Sequence, residues 1–201
     1  MGIYFNPNHT DFYNAVNHSQ IYVDKTKLIQ YTNSVLFGEQ KYICVSRPRR
    51  FGKSMAANML TAYYSRGCDS RKLFQGLKIA THPDFEKHLN QYNVIHLNMR
   101  DYLTESENMK QLIQFVEDDL LDELQQEFSD LRMPRRKTLV KVLEQAFVQY
   151  KIPFVFIIDE WDCIFRVHKS DAASQKDYLD FLRNLLKDKS YIALAYMTGI
   201  L

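Results

Sequence analysis

Cysteine is scarce in this chain of 201 residues, and the three present (Cys44, Cys68 and Cys163) lie far apart with no CxxC pair. That spacing argues against a disulfide framework and against zinc, and predicts buried free thiols in a reducing compartment. An excess of charge is lacking as well. The formal balance is +2, too small to argue for a nucleic-acid partner. No apolar run is long enough to span a bilayer; the most apolar, residues 154–158, is stopped by Pro153 and Asp159. The opening MGIYFNPNHT has no basic start and no apolar stretch, which excludes a secretory signal, and Asn6 stands where a myristoylation motif wants Ser or Thr. A cytoplasmic protein without a membrane partner is expected. Its hydrophobic content of 46% is enough to give one domain a substantial core.

The most telling absence is a single glycine. Residues 41–55 read KYICVSRPRRFGKSM. A β-type run, Tyr42-Ile43-Cys44-Val45, feeds an arginine-rich turn, and Gly52-Lys53-Ser54 then opens a helical pattern. This is the layout of a phosphate-binding loop, except that the full motif wants glycine where Arg47 stands, with Pro48 after it. Proline drives its predecessor into extended backbone and has no N–H. The loop is therefore predicted to leave the strand straight and to turn later, through Arg49, Arg50 and Phe51 to Gly52. One backbone donor is lost, and three arginines bring positive charge instead. At such a helix start the N–H groups face the anion. Lys53 reaches the β- and γ-phosphates there, and the Ser54 hydroxyl ligates Mg²⁺. The competing reading is a basic strand-to-helix turn with no ligand.

Upstream, residues 11–16 are predicted to form a short helix. Asp24 is a candidate N-cap for a second one with Leu28, Thr32, Val35 and Leu36 on one face and Gly38 at its end. Residues 1–38 are read as a segment that packs on or lids the nucleotide site, and 39–201 as the core. Tyr22 is either a stacking platform for a base or a core tyrosine. A helix over 54–64 buries Met55, Met59 and Ala62, and a strand over 93–98 carries His96 as a structural histidine. Thr104-Glu105-Ser106-Glu107 reads as a capping box opening a long helix with Met109, Leu112, Val116, Leu120 and Leu124 on one stripe. Its acidic face and the following Arg132, Arg135, Arg136 and Lys137 form a solvated surface or a docking surface. A helix over 138–150, a mobile loop over 163–173 and a helix over 174–187 complete the pattern.

The second informative stretch is Phe154-Val155-Phe156-Ile157-Ile158-Asp159-Glu160-Trp161-Asp162. A continuous apolar run suits a central parallel strand buried on both faces, and carboxylates at its C-terminal edge sit where open α/β sheets bind ligands. Asp159 is expected to hold the Mg²⁺ shell and Glu160 to activate a water for attack on the γ-phosphate. The last strand, 191–197, ends in Thr198, a candidate sensor of that phosphate. Two D…ExK-like matches, Asp24 with Glu39 and Lys41, and Asp84 with Glu86 and Lys87, fail: the first glutamate falls in a turn and the second spacing is too tight. No nuclease site is expected in this chain.

With these pieces assembled, the chain resembles the bacterial AAA-ATPase-like family. The likeness lies in Tyr22-Val23-Asp24-Lys25-Thr26, in the 47–54 loop, in Ile158-Asp159-Glu160-Trp161-Asp162 and in Met197-Thr198-Gly199-Ile200-Leu201. It implies an α/β P-loop NTPase-type three-layer sandwich with a mainly parallel sheet. By the same resemblance Arg49, Arg50, Phe51, Gly52, Lys53 and Ser54 bind ATP, Ser54 and Asp159 hold Mg²⁺, and Glu160, Lys53 and Thr198 serve catalysis. Similar proteins carry a fifth strand, a helical lid, γ-phosphate arginines and often a nuclease-like C-terminal domain, so the chain is read as an N-terminal fragment, incomplete at its C-terminus. Two functions are carried forward: a Mg²⁺-dependent ATPase module, and a nucleotide-gated binding module without useful hydrolysis. A homo-oligomer is left open.

Overall fold

A computed structural model describes residues 2–200; Met1 and Leu201, the latter closing the 197–201 resemblance, lie outside the described residues. Four parallel strands form one sheet in the order β1-β4-β3-β2: β1 Tyr42–Ser46, β2 Asn93–Asn98, β3 Phe154–Asp159 and β4 Ile192–Gly199. The apolar run of residues 154–158 lies inside it, since all six β3 residues are buried. Phe154, Phe156 and Ile158 face one core and Val155 and Ile157 the other, as the two-residue period of a strand requires. On β4 the alternation slips. Phe154 pairs with Ile192 but Val155 with Leu194, so Ala193 is an extra residue, a bulge, and its carbonyl accepts instead from the Phe37 N–H at 3.0 Å.

One face of the sheet carries α1 (Thr10–His18), α2 (Lys27–Val35), α3 (Lys53–Tyr64), α4 (Arg71–Phe74) and α5 (Phe85–His88). The other carries α6 (Met99–Glu105), α7 (Met109–Glu127), α8 (Leu139–Tyr150), α9 (Cys163–Val167) and α10 (Ala172–Leu186). The α7 stripe read from the sequence is buried from Met109 to Leu124; each such side chain contributes about 1.5–3 kcal/mol. The outer edge of β2 is covered by residues 4–6. Phe5 bridges Ile95 antiparallel, and the Asn6 N–H donates to Val94 O at 2.7 Å.

Several local expectations are corrected. The N-cap of α7 is Asn108, whose side chain accepts from the Gln111 N–H, while the Gln111 side chain accepts from the Glu107 N–H; this pair sits downstream of Thr104, which lies inside α6. Phe37, at φ +64°, takes the left-handed turn assigned to Gly38. The stretch expected to be a mobile loop contains α9. Cys44 is exposed, because β1 pairs on one side only among the described residues and its side chains are half covered. Burial pushes the thiol of Cys163 up to about 12, where it is inert. Met55 is only partly buried and lines the cavity described next.

Candidate functional site

Strand β1 delivers its chain extended into the 47–52 turn: the Arg47 N–H still donates to Gly199 O at 3.2 Å, continuing the β1–β4 ladder past Ser46. The turn then closes on itself. Lys53 Nζ donates to Arg47 O at 2.9 Å and to Pro48 O at 3.1 Å. Arg50 (φ +68°) and Gly52 (φ +73°) are both left-handed. For Arg50 this backbone costs on the order of 1–3 kcal/mol, held by the fold around it. At Gly52 the left-handed backbone disfavours a side chain, and a Cβ would also lie 2.6 Å from Lys25 Nζ, so that lysine tip would have to move aside. The first turn of α3 follows, with Lys53 half-buried and Ser54 exposed.

Opposite stand the acids at the end of β3. Asp159 is 5% exposed. Its Oδ1 accepts from the Glu160 N–H at 2.9 Å and from the Thr198 hydroxyl on β4, and Oδ2 accepts no hydrogen bond among the described residues. Glu160, at φ +50°, is a second strained residue. Its Oε2 receives the Arg166 guanidinium at 2.8 Å, and Arg166 also lies 3.3 Å from Asp162 Oδ1. Asp162 Oδ2 accepts from the Ile200 N–H at 2.7 Å. Trp161, the only tryptophan, stands between Glu160 and Asp162 in sequence; its backbone N–H donates to Thr198 O at 3.1 Å and its ring meets Phe165 edge-on at 5.7 Å.

A cavity of about 300 Å³ is lined on one side by Arg49, Arg50, Gly52, Lys53 and Ser54, and on the other by Asp159 and Glu160. The loop and the acids, some 100 residues apart in sequence, therefore face one space. Ser54 and Asp159 also line a neighbouring polar cavity of about 540 Å³ with Asn58, His96 and Asn98. Burial lowers the His96 pKa, opposed by Asp159 and Asp11, and its Nδ1 is 3.0 Å from the Thr61 hydroxyl. A larger cavity, about 680 Å³, lies elsewhere, between β1 and α10 against Tyr42, Trp161, Leu179 and Met197. Its lining is mostly apolar and it includes neither Lys53 nor Asp159, so chemistry rather than size locates the candidate site.

Three expected residues, Thr198, Tyr22 and Phe51, lie off the cavity wall. Thr198 is fully buried with its hydroxyl on Asp159. Tyr22 packs edge-on against Phe12, ring centroids 6.1 Å apart, and burial together with Asp24 pushes its hydroxyl up to about 12. Phe51 contributes its carbonyl, which accepts from Lys25 Nζ at 2.7 Å, while its ring is exposed. Sequence reasoning missed Lys25 and Arg166 as neighbours of the site. Lys25 was visible only as part of the 22–26 resemblance, and Arg166 lay in a stretch expected to be a loop.

Among the described residues no three His, Cys, Asp or Glu side chains form a metal cage. Magnesium needs none: it keeps several waters and is held by one or two carboxylates plus phosphate. The open Oδ2 of Asp159 and the exposed Ser54 hydroxyl on one cavity fit that donor set. No helix among the described residues is long and apolar enough to cross a membrane. A search of curated proteins gave no match. A family model described as predicted AAA-ATPase matches residues 8–201, a span that takes in the loop, both acids and β4. The chain belongs to the AAA-ATPase-like family.

Proposed function

We propose that the chain is the ATP-binding, Mg²⁺-dependent ATPase module of this family. The observation that carries the reading is the single cavity shared by Lys53 and Ser54 with Asp159 and Glu160. Phosphate oxygens replace the Arg47 and Pro48 carbonyls as partners of the Lys53 ammonium, while the amides at the start of α3 hold the same anion. Thr198 fixes Asp159 through Oδ1 and so leaves Oδ2 for a cation. Mg²⁺ held by Ser54 and Asp159 would neutralise charge developing on the β- and γ-phosphate oxygens. Glu160 takes the proton of the attacking water.

One observation favours a second reading, a nucleotide-gated switch without useful hydrolysis. The Glu160 carboxylate is already paired with Arg166, and a base spent on a guanidinium takes up a proton poorly. Titration of ATP by calorimetry tests the shared basis of both readings. Lys53→Ala is expected to bind about 10- to 100-fold more weakly, the loss of a charge-assisted hydrogen bond; equal binding removes the assignment. Single-turnover hydrolysis then separates the two. Under the ATPase reading Glu160→Gln keeps ATP affinity and loses about 10²- to 10⁴-fold in rate, whereas under the switch reading parent and variant are equally slow.

A further inference from the structure

Two lysines from distant parts of the chain are parked on carbonyls of the same loop. Lys53 holds its start, at Arg47 and Pro48, and Lys25 holds its end, at Phe51. Among the described residues neither ammonium has a carboxylate within ion-pair distance. For Lys25 this is notable, because Asp24 is its immediate neighbour. That carboxylate is committed to backbone instead, accepting from the Thr26 N–H at 2.8 Å, the Thr26 hydroxyl at 2.7 Å and the Lys78 N–H at 2.8 Å. Burial alone would raise the Asp24 pKa, but these hydrogen bonds outweigh it and hold the group below the usual carboxylate range. Thr26 adds a second weld, its hydroxyl accepting from the Ile79 N–H at 3.1 Å. The backbone at 24–26 is thus pinned between α2 and residues 78–79. From that fixed base the flexible Lys25 stem crosses to the loop and fills the space left by the missing Gly52 side chain.

We infer that Lys25 is a second phosphate-binding ammonium, brought to the loop beside Gly52 by the N-terminal segment. The inference rests on the proposed nucleotide site and adds to it a residue outside the strand–loop–helix unit. An ammonium–phosphate contact is charge-assisted on both partners, stronger than the ammonium–carbonyl contact it replaces. A short swing of the Lys25 tip moves it from Phe51 O to an oxygen of an anion held at the α3 amides. This gives the 22–26 motif a purpose: Asp24 and Thr26 build the platform and Lys25 is what it presents.

The test is calorimetric titration of Mg-ATP and of inorganic tripolyphosphate into the parent chain and into its Lys25→Met, Lys25→Arg and Lys53→Met variants. Lys25→Met is expected to weaken both ligands by about tenfold, the loss of one charge-assisted contact, and Lys25→Arg to restore most of it. Parent-like affinity in Lys25→Met, with binding lost in Lys53→Met, overturns the inference and leaves the nucleotide site standing. Equal weakening in Lys25→Met and Lys25→Arg, with a lower unfolding temperature of the nucleotide-free protein, also overturns it, since the lysine then only braces the loop. A parent chain that binds neither ligand removes the nucleotide site and this inference together.

Discussion

Glycine at position 52 illustrates how much one residue carries. Its backbone is left-handed and its missing side chain makes room for Lys25. Gly52→Ala is expected to cost about 1–3 kcal/mol from backbone strain and to displace the Lys25 ammonium. Gly76→Ala is the matched control, since a Cβ there meets nothing within 4 Å; removing freedom from the unfolded chain should make it neutral or stabilising by up to about 1 kcal/mol. Urea midpoints of the two variants check this, and a parent-like Gly52→Ala would refute the strain. The loop and the acids were legible in the sequence because each is a local pattern: an apolar run, a turn residue, a helix start. Lys25 and Arg166 were not legible as neighbours of the site, because their partners are chosen by tertiary placement, which no spacing along the chain encodes.

Among the elements, the N-terminal strip is paired with β2 on one side and clasped by one α7 side chain on the other. The Glu123 carboxylate on α7 accepts from the N–H groups of Ile3, Tyr4 and Phe5 at 2.7, 3.0 and 2.7 Å. These are charge-assisted bonds, partly exposed, and Phe5 beneath them is buried. Glu123→Ala is expected to lose about 1–3 kcal/mol and to speed amide exchange at residues 3–6, leaving β3 protected. Uniform loss of protection would mean that the strip and the sheet unfold as one unit. This clasp was also hidden in the sequence, where Glu123 read as one of several acids on a solvated helix face. The cap of α7 was misplaced for a related reason: Thr104-Glu105-Ser106-Glu107 satisfies the capping pattern locally, but α6 runs through its first two residues.

For the whole molecule, buried His88 and half-buried His96 shape the acid side of the stability curve. Burial lowers the pKa of His96, and lowers that of His88 with help from Lys87. A folded-state pKa below the unfolded value of 6.5 means that the unfolded chain takes up protons first. Their contribution is complete above that pH and drains away as pH falls from there toward the folded values. Asp24 and Glu144, whose pKa values are lowered, lose theirs only in more acidic solution, below about 4. Urea midpoints should therefore fall between about pH 7.5 and 5.5, and fall less in His96→Asn. A flat profile for the parent would mean that neither imidazole resists protonation in the fold.

The lone indole at position 161 has a practical consequence. Flanked in sequence by Glu160 and by the acid that anchors residue 200, with its backbone amide tied to Thr198 O, it is an intrinsic optical reporter next to one wall of the proposed site. When the indole is excited selectively, at wavelengths the thirteen tyrosines do not absorb, the emission of the unlabelled protein therefore comes from one place only. A ligand that shifts Glu160 or loosens Arg166 should change its colour or yield, and each step of nucleotide entry can be timed by stopped flow without attaching a dye.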